Sequence, residues 1–106
     1  MPELDDHPTM AELELGKIFA ALADPSRRKV IADLLKEADG TVRTCWSFSL
    51  PVAKSTLTHH FKVLKDSGLV ISLDRGNRRE VVLRKQELDQ RFPGLLDVIK
   101  SEHDET

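Results

Sequence analysis

Cysteine is almost absent from this chain, since Cys45 is its only copy. A lone thiol excludes an intramolecular disulfide bond and agrees with a reducing compartment. Long apolar runs are absent too, because none approaches the ~18 residues that a membrane-spanning helix needs. The acidic start MPELDDHPT lacks the basic and apolar regions of a signal peptide. These absences predict a cytoplasmic protein with no membrane partner.

Catalytic motifs are also missing. The sequence has no glycine-rich loop that could cradle a phosphate, no H-E-x-x-H pattern and no Ser/His/Asp set in a familiar context. The adjacent His59 and His60 are the remaining candidates for catalysis, so a small hydrolase is the weakest of the interpretations. We expect no enzymatic activity and no cofactor.

The composition is that of a single folded domain. Of 106 residues, 40% are hydrophobic and 32% are charged, which is typical of a globular protein rather than a disordered one. A chain of this length can bury a sufficient core without disulfides or metals. We place the domain at residues 10–100, with disordered tails at 1–9 and 101–106.

Charge is unevenly distributed along the chain. The net charge is −2, yet residues 1–40 carry −4, residues 41–85 carry +6 and residues 86–106 carry −4. A basic middle between acidic ends predicts that the middle meets a polyanion, while the ends meet something else, such as each other.

Two helices are predicted in the first 40 residues. Residues 9–23 carry Leu15, Ile18, Phe19 and Leu22 at helical spacing. Asp24 is a good N-cap and Pro25 suits the first helical position, so a second helix is expected to run to about residue 38 and to end at Asp39-Gly40.

The remaining elements complete a recognisable order. Residues 41–53 favour an extended piece and at most a short helix, because Pro51 interrupts them. A helix is predicted from residue 54 to Gly68, followed by LVISL and REVVLR as a hairpin around DRGNR and by a helical region broken at Pro93-Gly94. This order predicts a mainly α fold with a small β-hairpin, a winged helix-turn-helix.

The two histidines lie on different faces of the predicted helix. At about 100° per residue, Leu57, Phe61 and Leu64 form one face with His60 at its edge. Neighbouring residues on a helix point apart, so the pair cannot clamp one metal ion. We therefore expect His60 to be a packing residue, and His59 to belong to a polar face that suits bases and phosphates, formed by Ser55, Thr58, His59 and Lys62.

The hairpin is basic at its tip. Arg75, Asn77 and Arg78 surround Gly76, and such a cluster is either a solvated surface or, beside a polar recognition helix, a site that binds the DNA backbone or minor groove. Arg79 is expected within the strand. Glu80 is expected to pair with one of the arginines.

Two motifs in order carry a resemblance to a family. IFAALADPSRRKVIADLL, followed by KSTLTHHFKVLKDSGLV and the DRGNRRE hairpin, resembles the ArsR/SmtB family of bacterial winged helix-turn-helix repressors over about residues 18–83. The resemblance implies a homodimer through the first and last helices, a double-stranded DNA operator and release by an inducer. The residues it implies for DNA contact, together with the charge map, are Lys54, Ser55, Thr56, Thr58, His59, Lys62, Arg75, Asn77 and Arg78.

The effector is where this sequence departs from many relatives. It has TCWSF in place of a Cys-x-Cys metal motif, and its last helix lacks the paired histidine spacing of metal sensors, although it offers Asp89, Asp97, Glu102 and His103. Cys45 is either a buried hydrophobe or a redox or effector sensor, and we assign no metal ligand. His7 and His103 are expected in the tails.

Two further possibilities stay open at the level of the sequence. Trp46 and Phe48 are typical core residues, but in a dimer they could hold a small organic effector. The chain could also be a winged-helix module that binds another protein rather than specific DNA.

Overall fold

The computed structural model describes residues 6–105. Its helices are α1 (Leu15–Leu22), α2 (Pro25–Leu35), α3 (Lys54–Asp66), α4 (Lys85–Arg91) and α5 (Leu95–Glu105), and its strands are β1 (Arg43–Thr44), β2 (Val70–Asp74) and β3 (Arg79–Leu83). Short 3₁₀ turns occupy Met10–Glu12 and Cys45–Ser47. This is the predicted winged helix-turn-helix order.

The first helix is shorter than the sequence suggested. Leu13 has an extended backbone that separates the 3₁₀ turn from α1, and its side chain is buried in the core. The junction to α2 is as expected: Asp24 Oδ1 accepts hydrogen bonds from the backbone N–H groups of Ser26 (2.8 Å) and Arg27 (3.2 Å), with Pro25 in the first turn. The end of α2, predicted at residue 38, comes at Leu35.

The hairpin is part of a three-stranded antiparallel sheet. β2 and β3 pair from Val70↔Leu83 to Asp74↔Arg79, and β1 adds two pairs on the other edge of β3. The predicted extended piece in residues 41–53 is therefore a sheet strand, followed by a 3₁₀ turn. The short strand anchors the start of the segment that leads into α3.

One apolar core holds the helices against the sheet. Its fully buried side chains come from α1, α2, α3, the two long strands and α4, and they include Ile18, Val30, Ile31, Phe61, Leu64, Val70, Val81 and Leu88. Phe48 packs on Phe61 with ring centroids 5.6 Å apart. None of the helices in residues 6–105 has both the length and the apolar composition that a bilayer crossing requires.

The chain ends pack on the domain more closely than the sequence indicated. His7, which we expected in a tail, is buried, and its Nε2 accepts a hydrogen bond from the Ser72 backbone N–H (3.0 Å). Arg84 Nη1 donates to the Pro8 carbonyl (2.7 Å). At the other end, α5 continues through Glu105. Residues 1–5 of the predicted N-terminal tail, and Thr106, lie outside the described residues, and the domain bounds of 10–100 stay a prediction.

Candidate nucleic-acid interface

The α3 helix has one buried and one exposed face. Its buried side chains are Leu57, His60, Phe61 and Leu64, which fasten the helix to the core. The opposite face is exposed and polar, and it carries Lys54, Ser55, Thr56, Thr58, His59 and Lys62. The structure therefore brings together, on one surface, every α3 residue that the sequence nominated for DNA contact.

The N-terminal turn of α3 is open to a partner. The first N–H groups of a helix have no carbonyl within the helix to bind, and they carry the positive end of the helix dipole. Ala53, the N-cap residue, provides no side-chain hydrogen bond to them. Thr58 Oγ1 donates to the Lys54 carbonyl (3.1 Å), so its hydroxyl oxygen can accept hydrogen bonds from outside the helix.

His60 is a packing residue, as its place on the wheel predicted. Only 5% of its surface is exposed, and Arg27 Nη1 donates to His60 Nδ1 at 3.2 Å, because a guanidinium has no acceptor. Arg27 also donates from Nε to the Ala21 carbonyl (2.7 Å). This arginine therefore links the end of α1 to the middle of α3, whose opposite face is the polar one.

Asp24 supports the same junction. Partial burial alone would raise the pKa of its carboxyl, but the backbone N–H groups of Arg27 and Ser26 outweigh this effect and lower the pKa. The carboxylate therefore stays charged at neutral pH, with Oδ1 3.9 Å from His60 Nε2. Arg27 was not predicted to position α3, because its partners Ala21 and His60 lie on other helices.

The hairpin tip is formed as the turn residues predicted. Gly76 has a φ of 88°, and its backbone N–H donates to Asp74 Oδ1 (2.9 Å). Arg75 Nε and Arg78 Nε each donate to one oxygen of Glu80, at 2.8 and 3.1 Å. These two bonds lower the pKa of Glu80. One carboxylate thus holds both arginines, a closer association than the single pair expected.

The aromatic residues before α3 do not share one environment. Phe48 is buried against Phe61, whereas Trp46 is 54% exposed. The Lys54 ammonium lies 5.2 Å from the centre of the Trp46 ring, within the range of a cation–π interaction. Trp46 therefore borders the exposed face of α3, an edge that the sequence analysis did not assign to the interface.

Cys45 is buried beneath this region. Burial raises the pKa of its thiol to about 11, and the nearby charge of Arg79 opposes this rise only in part. At neutral pH the group is a thiol rather than the reactive thiolate. The sensing role predicted for Cys45 therefore requires a conformation in which its side chain is more exposed.

The raised pKa gives a direct expectation for Cys45. At pH 8 we expect iodoacetamide to alkylate the folded chain about 100-fold more slowly than the urea-unfolded chain, because the ordinary thiol pKa is 9.0. The folded-state rate should rise as the pH approaches 11. Mass spectrometry of quenched samples measures both rates, and alkylation of the folded chain at the unfolded rate would contradict this environment.

The possible metal ligands on the last two helices are spread out and engaged. Among residues 6–105, no three His, Cys, Asp or Glu side chains come close enough together to hold one metal ion. Asp89 binds Lys85 (3.1 Å) and Glu102 binds Arg28 (3.3 Å). His103 lies near Glu102 beside a groove between α2 and α5.

Comparisons with known proteins point to one family. The chain is 36% identical over 85 residues to the arsenical resistance operon repressor of Staphylococcus xylosus, covering 76% of this chain and 75% of that protein. It is 28% identical to the uncharacterized HTH-type transcriptional regulator YuzN of Bacillus subtilis, covering 76% of this chain and 92% of that regulator.

A solved structure agrees with these relatives. A crystal structure of an ArsR family transcriptional regulator superimposes with a TM-score of 0.62 at 26% identity, covering 86% of this chain and 87% of that one. No family model matches the chain. The fold and the relatives thus agree over most of its length.

Proposed function

The chain belongs to the ArsR family of helix-turn-helix transcriptional regulators, and on this premise we propose that it is a sequence-specific, homodimeric repressor acting in the bacterial cytoplasm. Its α3 helices would enter successive major grooves about one turn, or about 10 bp, apart. Membership of a transcription-regulator family sets aside the hydrolase that the paired histidines had raised.

The observation that carries this proposal is the division of α3 into two faces. A helix held by an apolar face, with short hydroxyls, a histidine and lysines on the other, fits the width and the hydrogen-bonding groups of the major groove. We assign base and phosphate contacts to Ser55, Thr56, Thr58, His59 and Lys62. Lys54 is assigned to the DNA backbone.

The hairpin is assigned to the DNA backbone beside the groove. Arg75, Asn77 and Arg78 are exposed at its tip, and side chains that bind phosphate in this way position a protein without reading sequence. Glu80 holds both arginines in place, so their heads are ordered before DNA arrives. The pair of arginines with one glutamate keeps a net positive charge at the tip.

Dimerisation is supported by apolar side chains that the single chain leaves exposed. Phe19 on α1 is 54% exposed and Val98 on α5 is 69% exposed. Leu15, one turn before Phe19, is also exposed. Leu15 and Phe19, four residues apart, share one face of α1, and α1 and α5 are the helices that the family resemblance implied for the dimer.

Repression with release by an effector is the regulatory mode we propose. One relative is named as the repressor of an arsenical resistance operon. We propose that a small effector releases the repressor from DNA. Cys45 is the candidate for redox control if its thiol becomes exposed.

Substitutions in α3 and the hairpin test the assigned roles. Lys62→Ala and Arg78→Ala should weaken binding to all duplexes, and each should reduce the slope of log affinity against log salt by about 0.9, the value for one phosphate left without its cation. His59→Ala should instead leave the slope unchanged and reduce the preference for the operator by about 5-fold or more. Fluorescence anisotropy at several salt concentrations measures both quantities. Unchanged slopes for Lys62→Ala and Arg78→Ala would refute the backbone assignments.

A further inference from the structure

A cleft separates the recognition helix from the strands of the hairpin. Its volume is about 160 Å³. The residues that line it, which we call the helix–wing cleft, are Thr58, Phe61, Lys62, Lys65, Ser72 and Arg79. Phe61 belongs to the core, so it closes the bottom of the cleft with an apolar surface. Two of the lining residues, Lys65 and Arg79, were not assigned to the DNA interface from the sequence.

All the charged side chains that line the cleft are cations. Three cations and two hydroxyl groups face the cleft, and within the described part of the chain no carboxylate is among the lining residues. Cationic N–H donors converging with hydroxyl groups suit the oxygens of a phosphoryl group, and arginine binds such oxygens through two parallel hydrogen bonds. The chemistry of the cleft is therefore that of an anion site for phosphate.

The carboxylates that pair with these cations are exposed. Lys62 Nζ binds Asp66 (3.1 Å), Arg79 Nη2 lies 3.7 Å from Asp74, and Lys65 Nζ binds Asp6. An exposed carboxylate is solvated by water whether or not it is paired, so its ion pair contributes little stability. An entering phosphate can replace each of these carboxylates while the carboxylate turns to water.

Glu80, in β3 beside the hairpin tip, is a less exposed carboxylate than these three. Its side chain is only 16% exposed, and it accepts hydrogen bonds from Arg75 and Arg78 together. A phosphate that captured either arginine would have to compete with this held carboxylate. The cations of the cleft are therefore paired with more exposed carboxylates than the tip arginines are.

Arg79 is prepared to bind an anion. Its Nη1 donates to Ser72 Oγ (3.2 Å), and Ser72 is buried on the adjacent strand opposite Val81. The bond fixes the guanidinium at the cleft. Because Ser72 Oγ accepts from Arg79, its own hydroxyl hydrogen is left to donate to a phosphate oxygen.

We propose that the helix–wing cleft binds a phosphoryl group, supplied by the DNA backbone, through Lys65 and Arg79 with Lys62 at its rim. The inference rests on the proposed function for the source of the phosphate, but the anion site follows from the cleft itself. It adds Lys65 and Arg79 to the DNA interface and gives Asp6 the role of a competing carboxylate.

Charge-removing variants test the cleft in the full chain. Arg79→Gln and Lys65→Gln should each reduce the salt slope by about 0.9, because each leaves one phosphate without its cation, and should weaken the operator and a scrambled duplex by the same factor. Arg79→Lys should restore most of the slope. Asp6→Asn, which removes the carboxylate on Lys65, should strengthen binding to both duplexes. Arg91→Gln on α4 removes one positive charge outside the cleft and is the matched control.

In a second experiment, inorganic phosphate is titrated into the protein without DNA. ¹H–¹⁵N NMR follows the shifts of the Ser72 and Arg79 amides. Thermal melting confirms that each variant is folded. Salt slopes that fall in the cleft variants but not in the Arg91→Gln control support a phosphate of the DNA backbone as the ligand. Unchanged slopes, with saturable phosphate shifts that Arg79→Gln abolishes, would overturn the DNA source and leave a free phosphate ligand. Unchanged slopes without such shifts would overturn the anion site. If the wild type does not prefer an operator, the proposed function fails and the phosphate arm still decides the cleft.

Discussion

Replacing Gly68 with alanine is expected to destabilise the fold by about 3–5 kcal/mol. Gly68 follows the end of α3 with a φ of 86°, a conformation that strains any residue with a Cβ. A Cβ there would also lie 2.1 Å from Leu13 Cδ2, and Leu13 is buried in the core. The variant therefore combines backbone strain with a steric clash, and chemical denaturation should show a large fall in the free energy of unfolding.

Gly40→Ala separates the two contributions. Gly40 has a similar φ of 81°, but nothing within the described residues lies within 4 Å of the position of its Cβ. We expect a loss of only about 1–2 kcal/mol, the cost of the left-handed conformation alone. Equal losses in the two variants would show that the packing between Gly68 and Leu13 is not tight, and that the N-terminal segment does not pack on the end of α3 as described.

Phe19→Glu is expected to produce a folded monomer that no longer binds its operator tightly. Phe19 is exposed in the single chain, so its replacement leaves the core intact. In a two-fold symmetric dimer each substitution acts twice, so the dimer should be weakened by about 3 kcal/mol or more, which raises its dissociation constant at least about 100-fold. Analytical ultracentrifugation measures this constant, and circular dichroism confirms the fold.

Val42→Glu is the matched control for this substitution. Val42 is a large apolar residue with 50% of its surface exposed, but it precedes β1 and lies outside α1 and α5. The variant should remain dimeric with unchanged operator affinity. A Phe19→Glu variant that dimerises like the wild type would contradict the assignment of α1 to the dimer interface.

Local patterns were sufficient to predict the elements that present the interface. Leu57, Phe61 and Leu64 recur at helical spacing, so they lie on one face of α3, and this is the face that is buried. The opposite polar face could therefore be predicted without knowing the tertiary structure. Asp24-Pro25 likewise marked the start of α2 through capping alone. The break at Pro93-Gly94 separated α4 from α5 where it was expected.

Interactions between distant positions could not be predicted in this way. The bond between Arg27 and His60 joins residues 33 positions apart, and the pair of Asp6 and Lys65 spans 59 positions. No periodicity within one helix indicates such partners. The convergence of Lys65 and Arg79 on one cleft depends on how α3 packs beside the hairpin, so it is visible only in the folded chain.

The late start of the first helix, at Leu15 rather than near residue 9, has a similar cause. Residues 9–23 have helical apolar spacing, but burial of Leu13 against the end of α3 requires an extended backbone at that point. Tertiary packing therefore overrides the local preference for a helix. The same packing draws His7 and Pro8 onto the hairpin and α4, where the sequence suggested a tail.

The most direct test of specific regulation is one titration. Fragments of genomic DNA are first captured with the wild-type protein, and the fragment captured most strongly is labelled. Fluorescence anisotropy at several salt concentrations then measures the affinity of the protein for this enriched fragment and, separately, for a scrambled duplex of the same length. We predict binding by one dimer that is at least about 10³-fold tighter to the enriched fragment. Equal, weak and salt-driven binding to both duplexes would contradict a sequence-specific regulator and favour a winged-helix module that binds another protein.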